Sequence, residues 1–253
     1  MSAATAMLRL LVGLALTGGS INALAGEVSV AVAANFAGPL ARIAEDFAAA
    51  TGHQLRVSVG STGKFYSQIV AGAPFDVLIA ADDETPKKLM LQGHAVAGSA
   101  FTYAVGQLVL WSAQPGLVDD QGAVLASSRF SRLALANPKL APYGQAAIEV
   151  LRARGLTDAV RPRLVTAESL GQAFQFVATG NAELGFVALS QVMVPGKPAS
   201  GSHWRVPQSL YAEIRQDAVL LKAGAFKPAA AALLIWLKSE PAQAVIQAYG
   251  YRL

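Results

Sequence analysis

Cysteine is missing from all 253 residues. That excludes disulfides, thiolate nucleophiles and cysteine-based metal sites, so the fold must hold without covalent staples. Histidine is nearly as scarce. His53, His94 and His203 stand singly, with no H-x-x-H or H-E-x-x-H spacing, and read as surface or turn residues. Charge is sparse too, at 14% of residues against 53% hydrophobic, the balance of a chain that packs a core. The net charge of +4 is spread out, with Lys87-Lys88 the only adjacent basic pair, and a nucleic-acid partner is not indicated. A nucleophile elbow G-x-S-x-G is absent. Gly60-Ser61-Thr62-Gly63-Lys64-Phe65 has the wrong glycine spacing for a P-loop and no hydroxyl after the lysine. Asp82-Asp83-Glu84 sits at a helix start, where acids complement the helix dipole, and is not read as a metal site. With no nucleophile–base pair and no metal cluster, the sequence predicts a protein that is not an enzyme and needs no cofactor.

Long apolar runs are confined to the N-terminus. Arg9 precedes Leu10-Leu11-Val12-Gly13-Leu14-Ala15-Leu16, and Ala23-Leu24-Ala25 follows. This order predicts a signal peptide over residues 1–25, with the exported chain starting near Gly26. The run is far shorter than the ~20 apolar residues of a membrane span. The burst Leu233-Leu234-Ile235-Trp236-Leu237 stops at Lys238 inside an amphipathic helix.

What is present is strand–helix alternation. Val28–Ala33, Leu55–Val59 and Phe75–Ala80 read as strands. Helices follow them from Pro39, over Lys64–Ala71, and from Thr85-Pro86 to Leu91. Tyr103–Trp111 reads as one long extended stretch. The alternation then restarts with strand Leu133–Ala136, helix Gln145–Arg154, strand Arg163–Thr166, helix Leu170–Thr179 and strand Leu184–Ala188. A second extended segment, Glu213–Leu221, leads to helices at Pro228–Lys238 and Pro241–Ala248. Such alternation predicts an α/β fold with mainly parallel sheets flanked by helices. Two blocks joined by two crossings fit two lobes around a hinge, and the pattern alone also admits one continuous sheet.

Four strand-to-helix junctions carry small or hydrogen-bonding residues: Ala33-Ala34-Asn35-Phe36, Gly60-Ser61-Thr62-Gly63, Asn137 to Gly144, and Ala167-Glu168-Ser169-Leu170. In parallel α/β sheets such junctions gather at the carboxyl ends of strands, where ligands bind. Hydroxyls and free N–H groups at helix N-termini suit an anion. The junctions hold no arginine or aspartate, which disfavours an amino acid or organic acid, ligands normally clamped by such groups. Lys64 and Lys139 read as solvated, and Glu168 as compensation of a helix dipole.

The chain resembles the periplasmic molybdate-binding proteins of ABC importers, the ModA family. The matching stretches run in order over nearly all of the exported chain: Ala33-Ala34-Asn35-Phe36, Gly60-Ser61-Thr62-Gly63, Gln68-Ile69 with Gly72-Ala73-Pro74, Asp76 to Asp82, Gly180 to Val187, and Tyr249-Gly250-Tyr251. The resemblance implies a two-lobed type II periplasmic binding protein fold, with residues 26–104 and 217–253 in one lobe and 105–216 in the other. It implies molybdate, and tungstate with it, held by neutral donors and delivered to a permease in the inner membrane by a monomeric periplasmic protein. Sulfate or phosphate on the same fold is the alternative. Carried over by position, Asn35 with Ala34 beside it supplies the first loop, and Thr62 the second-loop hydroxyl with Ser61 as a further donor. Tyr143 and Leu170 supply backbone N–H groups from the other lobe. The tyrosine that some members place after the Gly-x-Val strand is Ala188 here, and Tyr143 is the candidate to supply that phenol.

Overall fold

The structure is a computed structural model that describes residues 25–198 and 200–253. Apart from Ala25, the expected signal peptide lies outside the described residues. The first block contains β1 (Glu27–Ala33), a 3-10 turn (Ala34–Phe36), α1 (Ala37–Thr51), β2 (Gln54–Gly60), α2 (Thr62–Val70), β3 (Val77–Ile79), α3 (Glu84–Leu91) and β4 (Phe101–Gly106). The second contains β5 (Leu108–Ser112), β6 (Leu133–Ala136), α4 (Pro142–Ala153), α5 (Thr157–Val160), β7 (Leu164–Ala167), α6 (Leu170–Ala178), β8 (Leu184–Ala188), α7 (Leu189–Val192) and β9 (Ser202–Arg205). The chain then returns through β10 (Ile214–Leu220) to α8 (Pro228–Trp236) and α9 (Glu240–Ala248).

Two five-stranded sheets result, in the orders β2-β1-β3-β10-β4 and β7-β6-β8-β5-β9. A single continuous sheet is thereby ruled out. In each, three parallel strands come from βα units, and the fourth, antiparallel strand follows a crossing from the other sheet. The stretch expected to be continuous from Tyr103 to Trp111 breaks at Gln107, where β4 ends in one sheet and β5 begins in the other. Residues 105–106 and 214–216 therefore pair within the first sheet, a few residues beyond the crossing points expected from the sequence.

Alternation decides what each strand buries. Val28, Val30 and Val32 of β1 pack under Leu40, Ile43 and Phe47 of α1 and Leu233 of α8. On the opposite face Ala31 meets Phe65 and Ile69 of α2 and Leu89 of α3. Both faces are covered, as a parallel strand requires. The alternation in β2 has a different outcome. As an edge strand it leaves Val57 and Val59 exposed, and Val59 faces the cleft between the lobes.

The two expected helix starts nearest the junctions move forward. α2 begins at Thr62 and α4 at Pro142, so Thr62 and Tyr143 stand in first turns and not in loops. The lobes also share packing: Ala33 and Ala81 from the first lobe enter the main core of the second.

One buried charge ties the first lobe together. Asp76 accepts hydrogen bonds at Oδ2 from the Ser29 N–H at 2.8 Å and from Lys227 Nζ at 2.9 Å, linking β1 to the residue that precedes α8. Removing one member of a buried pair strands the other polar groups. Asp76→Ala is expected to cost about 3 kcal/mol of folding stability, measured by urea denaturation.

Candidate functional site

Four helix beginnings meet at one small cavity. From the first lobe come Ala34 and Asn35 in the 3-10 turn before α1, then Ser61 and Thr62 at the start of α2. From the second come Pro142 and Tyr143 at the start of α4, and Leu170, the first residue of α6. All six residues expected at the site line this one cavity. The cavity is small and is bordered by residues of all four junctions. No charged side chain lines it.

Close backbone approach makes the convergence possible. A Cβ on Gly144 would lie 2.1 Å from the Ala136 carbonyl oxygen, so only glycine lets α4 start so near the end of β6. That approach sets the place of Tyr143. The lobes meet just outside the cavity, where the Gly63 N–H donates to the Leu140 carbonyl at 2.9 Å.

The donors sort into three kinds. Thr62, Tyr143 and Leu170 stand in the first turns of their helices, where N–H groups have no acceptor within the helix. Ser61 is buried, and its Oγ has no hydrogen-bond partner, an orphan on the cavity wall. The Thr62 Oγ1 accepts from the Ala81 N–H at 3.0 Å. One of its two lone pairs is thus occupied, and its proton is left to donate.

Two side chains differ from the expectation. The Asn35 amide is already engaged: Nδ2 donates to Gln216 Oε1 at 2.7 Å and to Tyr251 Oη at 3.0 Å. What Asn35 offers the cavity is backbone. The Tyr143 phenol likewise turns to the hinge, where Gln216 Nε2 donates to it at 3.1 Å. Lys64 and Glu168, read separately as solvated and as dipole compensation, form an ion pair across the cleft, and the lysine holds the Glu168 carboxyl below its usual range.

Sequence reasoning also missed a buried polar cluster beneath the cavity. Tyr251 Oη and Ser190 Oγ both donate to the Asn35 carbonyl at 2.8 Å, and Tyr103 Oη donates to Gln216 Oε1 at 3.0 Å. The available signal was a glutamine inside the strand Ile214–Leu220, whose following residues are otherwise largely apolar. A larger hollow of about 340 Å³ adjoins the cavity and is lined by Asp82, Asp83, Glu84, Glu149 and Glu213 as well as Lys139 and Arg215. Its predominance of acids disfavours an anion there.

Residues 28–252 match the family described as bacterial extracellular solute-binding protein. The molybdate-binding protein ModA of Azotobacter vinelandii is 61% identical over 231 residues, which cover 91% of this chain and 92% of that protein. This chain belongs to the ModA family. ModA of Rhodobacter capsulatus is 53% identical over 244 residues, 96% of this chain and 93% of its own. A solved Azotobacter vinelandii periplasmic molybdate-binding protein superposes with a TM-score of 0.87 at 47% identity, over 89% of this chain and 99% of that one.

In this ModA-family protein the cavity's chemistry is donor-only. Each helix N-terminus carries about half a positive charge, so four of them together amount to about two. Burial pushes the Tyr251 phenol up to about 12 and raises those of Tyr103 and Tyr143 well above their usual value, so all three stay neutral.

The orphaned hydroxyl separates binding from folding. Ser61→Ala removes no hydrogen bond within the protein and is expected to leave the melting temperature unchanged while weakening oxyanion binding by about 1.5–3 kcal/mol. Thr62→Val also strips the Ala81 N–H of its acceptor, and both melting temperature and affinity should fall. Thermal melts paired with titration calorimetry check both.

Proposed function

We propose that the protein binds molybdate, and tungstate with it, in the cavity between its lobes and delivers it to an ABC permease. The observation that carries this reading is the convergence of four helix N-termini and an orphaned serine hydroxyl on one small, uncharged cavity, in a chain of the ModA family. A doubly charged tetrahedral oxyanion has acceptor oxygens in every direction and no protons to donate. A site that offers only N–H and O–H groups is its complement.

The magnitudes are sufficient. Hydrogen bonds to a charged group contribute about 1.5–3 kcal/mol each, and a helix N-terminus adds ~0.3–1. Contacts from Asn35, Ser61, Thr62, Tyr143 and Leu170, less the costs of desolvation and closure, reach the ~8 kcal/mol of micromolar binding or better. Three of these residues sit on the first lobe and two on the second, so the anion favours the closed arrangement by its differential affinity for it. Opening then removes one lobe's contacts and permits release. Neutral donors suit that task, since an arginine would hold every anion harder and slow its transfer.

The protein acts in the periplasm after export, as a binding protein without catalytic chemistry or a resident cofactor. Selectivity against sulfate follows from size: the donors of two rigid lobes are spaced for the larger anion and reach the smaller one poorly.

Titration calorimetry of the exported chain, stripped of ligand, tests the assignment. Molybdate and tungstate are expected to bind below micromolar with sulfate and phosphate silent. Heat from sulfate or phosphate alone would keep the fold and overturn the ligand. The affinity should also be flat between about pH 6 and 9. The buried phenols lose protons only above that window, and the depressed Glu168 carboxyl gains one only below it.

A further inference from the structure

The largest polar feature that direct anion contact leaves unexplained is the buried cluster at the hinge. Its centre is Gln216, fully buried, at a register break in β10 where the second crossing rejoins the first sheet. Its Oε1 accepts from Asn35 Nδ2 at 2.7 Å and lies 3.0 Å from Tyr103 Oη, whose single proton it shares with the Ala80 carbonyl at 2.9 Å, while its Nε2 donates to Tyr143 Oη at 3.1 Å. Asn35 belongs to the first lobe and Tyr143 to the second, and both line the cavity. One carboxamide therefore grips a cavity-lining turn from each lobe. Space is kept for it: a Cβ on Gly106 would lie 2.0 Å from Tyr143 Oη and 2.5 Å from Gln216 Nε2.

We propose that Gln216 is a positioning residue for oxyanion binding, holding Asn35 and Tyr143 at the separation that decides which size of anion the closed site accepts. The proposal rests on the reading of the protein as an oxyanion binder. The residue type follows from the task. A carboxamide accepts at one end, donates at the other and carries no charge. A carboxylate would place a negative charge beside a dianion. An apolar residue would strip the Tyr143 phenol of its donor and release the Asn35 amide and Tyr103 to their other partners, Tyr251 and the Ala80 carbonyl, so the two lobes would no longer be joined. If the grip is loosened, the N–H groups of the two lobes can adjust to a smaller anion at the expense of the larger.

Two mild variants test this. Gln216→Asn keeps both ends of the amide but is one methylene too short to reach both lobes. Gly106→Ala removes no polar group and forces the Tyr143 hydroxyl away from Gln216. Wild type and both variants are titrated with molybdate and with sulfate, and the ligand-free proteins are melted. The expected result is about tenfold weaker molybdate binding in each variant, the effect of one misplaced hydrogen bond, together with a fall in the molybdate-to-sulfate affinity ratio. A purely structural role would lower the melting temperature and leave that ratio unchanged, and this outcome overturns the proposal. Wild-type protein that binds neither anion overturns the oxyanion reading itself, and the inference with it.

Discussion

The structure depends on the requirement that four helices begin at the same point. A helix exposes unpaired N–H groups only in its first turn, so a site built from such groups must gather several helix starts. Parallel strands do this without further instruction, because each strand's carboxyl end delivers the chain into the next helix on the same edge of the sheet. Here β1 and β2 deliver two starts and β6 and β7 two more. The remaining demands are local. Gly144 permits α4 to begin against β6, and the cavity-facing positions are small or neutral, so nothing fills or charges the space where the helices meet.

Because each lobe holds only part of the donors, the cavity exists only when the lobes are together. Several unlike contacts keep them so. The Gly63–Leu140 backbone bond borders the cavity, and the Lys64–Glu168 pair spans the rim near Ser61. Ala33 and Ala81 pack into the second lobe's core. Exposed ion pairs are individually weak and screened by salt. A marginal closed state is what a carrier needs, since a guest can tip it and a permease can undo it.

Neutrality is maintained by burial. The three phenols around Gln216 are pushed well away from ionisation, and the buried carboxylates Asp76, tied to Ser29 and Lys227, and Asp217, tied to Thr102, are absent from the cavity lining. The acids near the cleft line the outer hollow, where Asp82 spends its oxygens on the N–H and hydroxyl of Thr85. The field felt by a guest therefore comes chiefly from backbone dipoles, fixed in direction and independent of pH near neutrality.

Much of this protein was legible in one dimension. Alternation and capping are local physics, so the βα order and the four junctions followed from residues a few places apart, while Ser61, Thr62, Tyr143 and Leu170 were singled out within those junctions by the resemblance to the ModA family. The direction of side chains did not. Asn35 looked like a ligand amide until its partner proved to be Gln216, 181 residues away in the chain. Lys64 looked solvated and Glu168 looked like compensation of a helix dipole, because their pairing spans 104 residues and a cleft. The break at Gln107 was invisible because both halves favour extended backbone, and only pairing with different neighbours assigns them to different sheets. The sequence by itself determined which groups can donate and where helices start. The tertiary structure alone decided which donors remain free for a guest, because a hydrogen bond already made within the protein leaves nothing to offer.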